Sequence, residues 1–367
     1  MQINPYLKLM ADKQASDLFF STGAPVNIKI EGKTSPVIDK PLPPGMVKQL
    51  AYRIISDEQK KSFEEGMELN FAISVEYIGR FRVHLYRQRG DTAMVIRYIK
   101  SRIPSIEDLN LPTILKQLVV EAQGLVLLVG ATGAGKSTTL ASMIDHRNTT
   151  MTGHILTIEE PIEYLHPHKK SVVNQREVGL DTLSFANALI NAKREAPDVI
   201  LVGEIRDREA MQQLLAYADT GHLCLATVHA NNANQTLDRI IHFFPDSARP
   251  QLLQDLSANL RAVVSQRLIP GIDGKRVPAV EILLKSPEIA GLIAKGDVGS
   301  LTGAIAKSLE PGMQTLDQSL FALYDSGKIS EHEALENAVF PEELAKKFRH
   351  TSGAMDDASY DGFTIGS

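Results

Sequence analysis

The run "LVLLVGATGAGKSTT", residues 125–139, constrains this chain more than any other stretch. An apolar strand must end there in a glycine-rich turn that opens directly into a helix. Gly130, four further residues, and then Gly135-Lys136-Ser137 form the phosphate-binding loop pattern, in which backbone N–H groups cradle a nucleotide's phosphates. Gly133 and Gly135 let the backbone take conformations that other residues resist and approach a phosphate without a Cβ in the way. Lys136 brings positive charge, and Ser137 offers a hydroxyl to Mg²⁺. The helix of "STTLASMID" turns its N-terminal amides and dipole toward the anion. The whole loop is therefore expected to bind ATP: Gly130, Ala131, Thr132, Gly133, Ala134, Gly135, Lys136, Ser137 and Thr138.

With 367 residues, 43% of them hydrophobic, the chain is long enough for two domains. Its 39 Lys+Arg against 44 Asp+Glu give a net charge of −5, which argues against a broad nucleic-acid or acidic-membrane surface. The single cysteine, Cys224, lies inside an apolar run, so no disulfide framework or C-x-x-C zinc site is possible and the thiol is expected to be buried and inert. No run approaches the ~18 apolar residues of a membrane span, and the first residues have no signal-peptide core. A cytosolic protein is the expectation.

Residues 1–100 read as a small mixed α/β domain, with a helix near Tyr6 to Lys13, strands at "DLFFS" and "VNIKI", and a helix at "MVKQLAYRI". "GRFRVHLYRQRGDTAMVIRYI" alternates with period 2 and predicts a hairpin turning at Gly90-Asp91. Two prolines place a linker at 101–112. An ATPase core is expected over 113–345, where "LVLLV", "HILTIEE", "DVILVGE" and "HLCLATVHA" alternate with helical patterns, the signature of a mostly parallel sheet. From about 286 the chain reads as helical, and 346–367 as a disordered acidic tail.

Hydrolysis needs more than a phosphate loop: a group that orients water, a magnesium ligand, and positive charge on the transition state. "DVILVGE" ends in Gly203-Glu204, and Glu204 would emerge at the carboxyl edge of the sheet, where ligands of open α/β folds bind. It and Ser137 are the expected metal ligands. "TIEEPIEY" holds Glu159, Glu160 and Glu163 around Pro161; Glu163 is the candidate for polarising the attacking water, with Glu159 the alternative that spacing does not exclude. On one continuous strand His222 and His229 would stand about 23 Å apart on opposite faces and share no metal. His229 would lie at the ligand edge, while His166 and His168 read as surface loop. Period 2 puts Arg80 and Arg82 on one face with His84, and Arg97 with Val95 and Ile99. That face is either solvated or supplies arginine to a neighbouring subunit, an effect worth about 10³ or more in rate.

Taken in series, "GATGAGKST", "TIEEPIEY", "DVILVGEIRD" and "TGHLCLATVHA" resemble the Walker A, Asp, Walker B and His boxes of the secretion ATPase superfamily, in particular its type IV pilus retraction ATPases. The resemblance runs from about 1 to 340, through "DLFFSTGAPVNIKIEGK", "GRFRV", "NQREVG" and "GMQTLDQSL". It implies a RecA-like P-loop core with a PAS-like N-terminal domain, forming a homohexamer that hydrolyses ATP with Mg²⁺ at the inner-membrane base of the pilus machine. It also implies catalytic roles for Glu163, Glu204 and His229, with Arg82 and Arg97 acting in trans. One cysteine excludes the four-cysteine zinc element common in assembly ATPases. Where the main retraction motor carries "AIRNLIRE", this chain has "PEIAGLIAKG", with Ala290, Gly291 and Ala294 replacing the basic and polar residues. That departure resembles the accessory type, whose expected partners are a related retraction ATPase and the platform protein, with no nucleic acid. Other readings of the boxes are a regulatory ring with dispensable hydrolysis and a nucleic-acid translocase.

Overall fold

A computed structural model of the chain describes residues 2–30, 32–100 and 102–357, with side chains as far as 350. The chain divides into two compact units: Met1–Arg102 with Ile162–Leu165, and Ile103–Pro161 with His166–Ser367.

The first unit runs α1 (Asn4–Asp12), β1 (Asp17–Phe20), β2 (Asn27–Ile30), β3 (Lys33–Pro36), α2 (Met46–Ala51), α3 (Asp57–Gly66), β4 (Glu68–Val75), β5 (Gly79–Gln88) and β6 (Asp91–Ile99). Its antiparallel sheet has the order β3-β2-β1-β6-β5-β4. Period-2 alternation buries Phe81, Val83 and Leu85 of β5 against Leu7 and Met10 of α1, Val47 and Leu50 of α2, and Phe63 of α3. The hairpin turns one residue earlier than its glycine suggested. Gln88 pairs with Asp91, so Arg89 and Gly90 form the two-residue loop, both with positive φ (51° and 81°), as a primed turn requires.

The second unit adds α4 (Ile114–Val120), β7 (Gly124–Val129), α5 (Lys136–Thr150), β8 (Gly153–Glu159), β9 (Ser171–Glu177), α6 (Phe185–Ala192), β10 (Val199–Val202), α7 (Arg208–Asp219), β11 (Leu223–Val228) and α8 (Ala233–His242). Then follow α9 (Arg249–Asn259), β12 (Leu260–Pro270), β13 (Arg276–Leu284), α10 (Pro287–Lys295), α11 (Leu301–Lys307), α12 (Leu316–Asp325), α13 (Glu331–Asn337) and α14 (Pro341–Asp357). The sheet order is β13-β12-β7-β11-β10-β8-β9, parallel throughout except for the final β12–β13 pair. Both faces are covered, so β7, β10 and β11 are buried in every position and almost wholly apolar, Thr227 being the polar exception. Leu125, Leu127 and Val129 of β7 face one core with α7 and α8, and Val126 and Leu128 face another with α4 and α5.

Three expectations shift. Ile106 and Leu111, inside the expected linker, are buried in the second unit's core because the stretch carries apolar anchors between its prolines. Helix α14 continues to Asp357, where a tail was expected from 346; residues 358–367 lie outside the described ones. His166 is only half-buried by area, but its Nδ1 is shut off from solvent, and burial drives its pKa down to about 4; His168 is exposed, as a surface loop should be.

Candidate active site

Parallel strands deliver their loops to one edge, and register decides which loops become neighbours. Val129, the last residue of β7, pairs with Val228, the last of β11. Gly130 and His229 therefore leave adjacent strands side by side, and both line a cleft of about 340 Å³ together with Ala131, Asn231, Gln235 and Arg239. A second cleft of about 270 Å³ continues along the phosphate loop to Leu268 and Arg276. β10 sits on the other side of β11, with Val202 opposite Ala226 and Ile158 of β8 opposite Val202. Glu204 and Glu159 thus reach the same edge.

Helices begin there too. Gly135, at φ 88°, is the N-cap of α5; Asp207 caps α7 by accepting from the Ala210 N–H, and Asn232 caps α8 by accepting from Gln235 N–H. Three helix N-termini consequently face the carboxyl edge of the sheet, an arrangement that attracts anions. The loop's glycines fit the cradle for two reasons. Gly133 and Gly135 hold φ of 81° and 88°, and a Cβ on Gly130 would come within 2.4 Å of the Gln266 carbonyl oxygen. Lys136 Nζ donates to the Gly130 and Ala131 carbonyls at 2.8 and 3.0 Å, holding the ammonium over the loop.

Glu204 is mostly buried and held from two sides. Its Oε1 lies 3.0 Å from His229 Nε2, and its Oε2 accepts from Arg206 Nε at 2.9 Å. Arg206 also donates to Glu160 Oε2 at 2.7 Å, which ties three of the four sequence boxes into one polar chain. Glu159 accepts from Thr157 Oγ1 at 2.7 Å and from Gln175 Nε2 at 3.2 Å. The loop after His229 is fixed from below: Ser265 Oγ donates to the Asn231 carbonyl at 2.7 Å, and Ala233 N–H donates to Glu281 Oε1 at 2.8 Å. Burial pushes the Glu281 carboxyl above its usual range.

The hydroxyl of Ser137 and the carboxylate of Glu204 are hard oxygen donors of the kind magnesium takes. No three His, Cys, Asp or Glu side chains gather as a metal cage among the described residues, so such an ion would depend on phosphate and water for most of its shell.

His222 stands before β11, at the far end of that strand, where its ring meets Tyr217 edge-on at 5.1 Å. Cys224 is fully buried, and burial raises its pKa strongly. Glu163 is exposed and belongs to the 162–165 segment of the first unit, where Tyr164 bridges to Lys100. On that unit's sheet Arg82 is directly opposite Arg97, and Arg97 directly opposite Asp17. Arg97 Nε donates to Asp17 Oδ1 at 2.9 Å from a largely exposed side chain, while Asp17 is buried. Sequence reasoning missed Asp17, Arg206 and Arg239. An acid opening the apolar strand "DLFF" and an arginine two residues past Glu204 were the available signals.

A family model described as type II/IV secretion system protein matches residues 1–285. The type IV pilus ATPase PilU of Pseudomonas aeruginosa is 51% identical over 98% of this chain and 94% of its own length. The type IV pilus retraction ATPase PilT of the same organism is 43% identical over 93% of this chain and 99% of its own. Among solved structures, the pilus retraction motor PilT with bound ADP superposes with a TM-score of 0.87 at 41% identity, over 94% of this chain and 99% of that one. The Legionella pneumophila ATPase DotB does so with a TM-score of 0.75 at 26% identity, over 90% and 94%.

Proposed function

The chain belongs to the type II/IV secretion system protein family, and from that premise we propose that it is an ATPase that hydrolyses ATP with magnesium to drive or assist type IV pilus retraction. The observation that carries this reading is the shared edge: the paired ends Val129 and Val228 set the phosphate loop beside His229, and His229 touches Glu204. Lys136 and the loop amides bind the phosphates, and Glu163 orients the attacking water. Ser137 and Glu204 would hold a magnesium ion, which when bound would supply charge neutralisation on the phosphates. Because His229 touches both the cleft and Glu204, a change of phosphate state reaches the sheet edge through it.

The names of the relatives support a pilus motor, and the "PEIAGLIAKG" departure supports an accessory one. In this reading the protein forms a homohexamer on the cytoplasmic side, with Arg82 and Arg97 serving a neighbouring subunit's nucleotide. It works beside a related retraction ATPase and the inner-membrane platform protein. No helix of the described residues is long and apolar enough to cross a membrane, so contact with the membrane would run through partners.

Phosphate release by the purified protein tests the reading. Magnesium-dependent turnover that disappears in Lys136→Ala is the expected result; equal rates in the two proteins would overturn it. A rate that rises with added DNA and falls again with salt would point instead to a translocase.

A further inference from the structure

Gln266 lies in the middle of β12, opposite Val280 of β13 and one residue beyond the Ser265–Val129 pair that joins β12 to β7. It is polar yet only 3% exposed. An amide so deeply buried must satisfy both of its ends. It does so on the phosphate loop: Nε2 donates to the Ala134 carbonyl at 2.8 Å, and Oε1 accepts from Thr139 Oγ1 at 2.8 Å. The main chain of the same residue closes on the loop as well, since its carbonyl oxygen is what a Cβ on Gly130 would strike, and its Nε2 would lie 2.9 Å from a Cβ on Gly135.

A peptide unit is planar and trans, so its C=O and N–H point in opposite directions. Drawing the Ala134 carbonyl onto Gln266 therefore turns the Gly135 N–H away from β12. Thr139 sits in the first turn of α5, and its hydroxyl bond fixes the same helix start from the other side. We propose that Gln266 is a positioning residue of the nucleotide site, which aims the Gly135 amide and the N-terminus of α5 at the phosphates. The glutamine amide donates at one end and accepts at the other, which is what the two loop partners require. Glutamate loses the donor, leucine loses both, and each leaves the Ala134 carbonyl turned toward a partner that no longer holds it.

The inference rests on the nucleotide reading above, and binding of a fluorescent ADP analogue to the full chain separates the two. Dissociation constants are measured well below each variant's unfolding midpoint, where a residue that only adds stability leaves them unchanged. Gln266→Leu and Gln266→Glu are expected to weaken binding at least tenfold. Thr139→Val, which loses one hydrogen bond but keeps the Gln266 hold on Ala134, is expected to weaken binding less than either Gln266 variant. If Gln266→Leu does not fold, Gln266→Glu decides alone. Wild-type binding that Lys136→Ala abolishes, with both Gln266 variants within twofold of wild type, would overturn the inference and leave the nucleotide reading standing. Failure of the wild type itself to bind the analogue would overturn both.

Discussion

Glu204 Oε1 and His229 Nε2 lie 3.0 Å apart across the ends of two neighbouring parallel strands, so the two residues act as one unit at the sheet edge. Removing the Glu204 charge while keeping its shape should separate binding from chemistry. Glu204→Gln is expected to retain ATP and to lose turnover by about 10² or more, because a magnesium ion held there would lose its protein carboxylate. His229→Ala should lower turnover too, and the double variant should cost little beyond Glu204→Gln alone. Rates multiplying independently in that cycle would show that the contact is incidental.

Asp17 and Arg97 make a second pair, of a buried carboxylate with an exposed guanidinium. The carboxylate is fixed in the sheet, so it limits where the long arginine side chain reaches. Arg82→Ala and Arg97→Ala should each depress hydrolysis by about 10³-fold, and Asp17→Asn, which displaces Arg97 without removing it, by about 10²-fold. Mixing identifies the subunit served. Adding Lys136→Ala protein, which still carries both arginines, to Arg97→Ala protein should restore part of the activity. No recovery in rings shown to be mixed would place the arginines' action within their own subunit.

Glu163 and Glu159 differ in what surrounds them. Glu159 is engaged by Thr157 and Gln175 at the end of β8, whereas Glu163 is exposed on the 162–165 segment. A carboxylate already accepting from two side chains is suited to bracing a sheet edge. Glu163→Gln should therefore cut turnover at least about 10²-fold with ATP binding kept, since it removes a water-orienting base, and Glu159→Gln should act mainly on stability. The opposite pattern would reverse the two roles.

The parallel strands were legible because burial on both faces leaves apolar runs, as in "LVLLV" and "LCLA", and the loops they feed carry the sequence boxes. The pair β12–β13 was not. Its centre, Ser265-Gln266, interrupts the apolar pattern, and those two polar residues are inside because the His229 loop and the phosphate loop need partners there; the half-buried Arg267 beside them donates instead to the Asn337 carbonyl at the end of α13. A residue whose reason lies about 130 positions away has no local signature. Asp17 was missed for the same reason, since its partner Arg97 is on a strand 80 residues later. The hairpin's turn slipped by one because Arg89 takes a left-handed conformation that its side chain does not advertise.

His166 has a pKa driven down to about 4 by burial, with Lys169 adding to the effect and Asp145 opposing it. An unfolded histidine titrates near 6.5, so between those values the unfolded chain binds the extra proton. The stability this group contributes is complete above about pH 6.5 and is lost as pH falls toward 4. At pH 5 the loss is on the order of 1–2 kcal/mol. His166→Phe keeps a ring of similar size without the titration. Its thermal midpoint relative to wild type should rise between pH 7.5 and pH 5; a constant difference would show that His166 binds its proton alike in the folded and unfolded chain.

Helix α10 carries the "PEIAGLIAKG" departure. Ile289 and Ile293 bury one side of the helix, while Ala290, Gly291 and Ala294 are half-buried small residues, and a Cβ built on Gly291 meets nothing within 4 Å. Position 291 therefore has room for a side chain, and Gly291→Asn should even favour the helix slightly. If the nucleotide boxes are intact and only this output surface is altered, the protein in cells lacking the related motor should fail to retract pili however abundant it is. A catalytically dead partner should still permit retraction that depends on Lys136 here. The triple variant Ala290→Arg, Gly291→Asn, Ala294→Arg should then gain measurable retraction without the partner while hydrolysing ATP at an unchanged rate. Wild-type protein that retracts pili at normal force alone would make it a motor in its own right, and a triple variant that folds and hydrolyses yet gains nothing would move the coupling surface off α10.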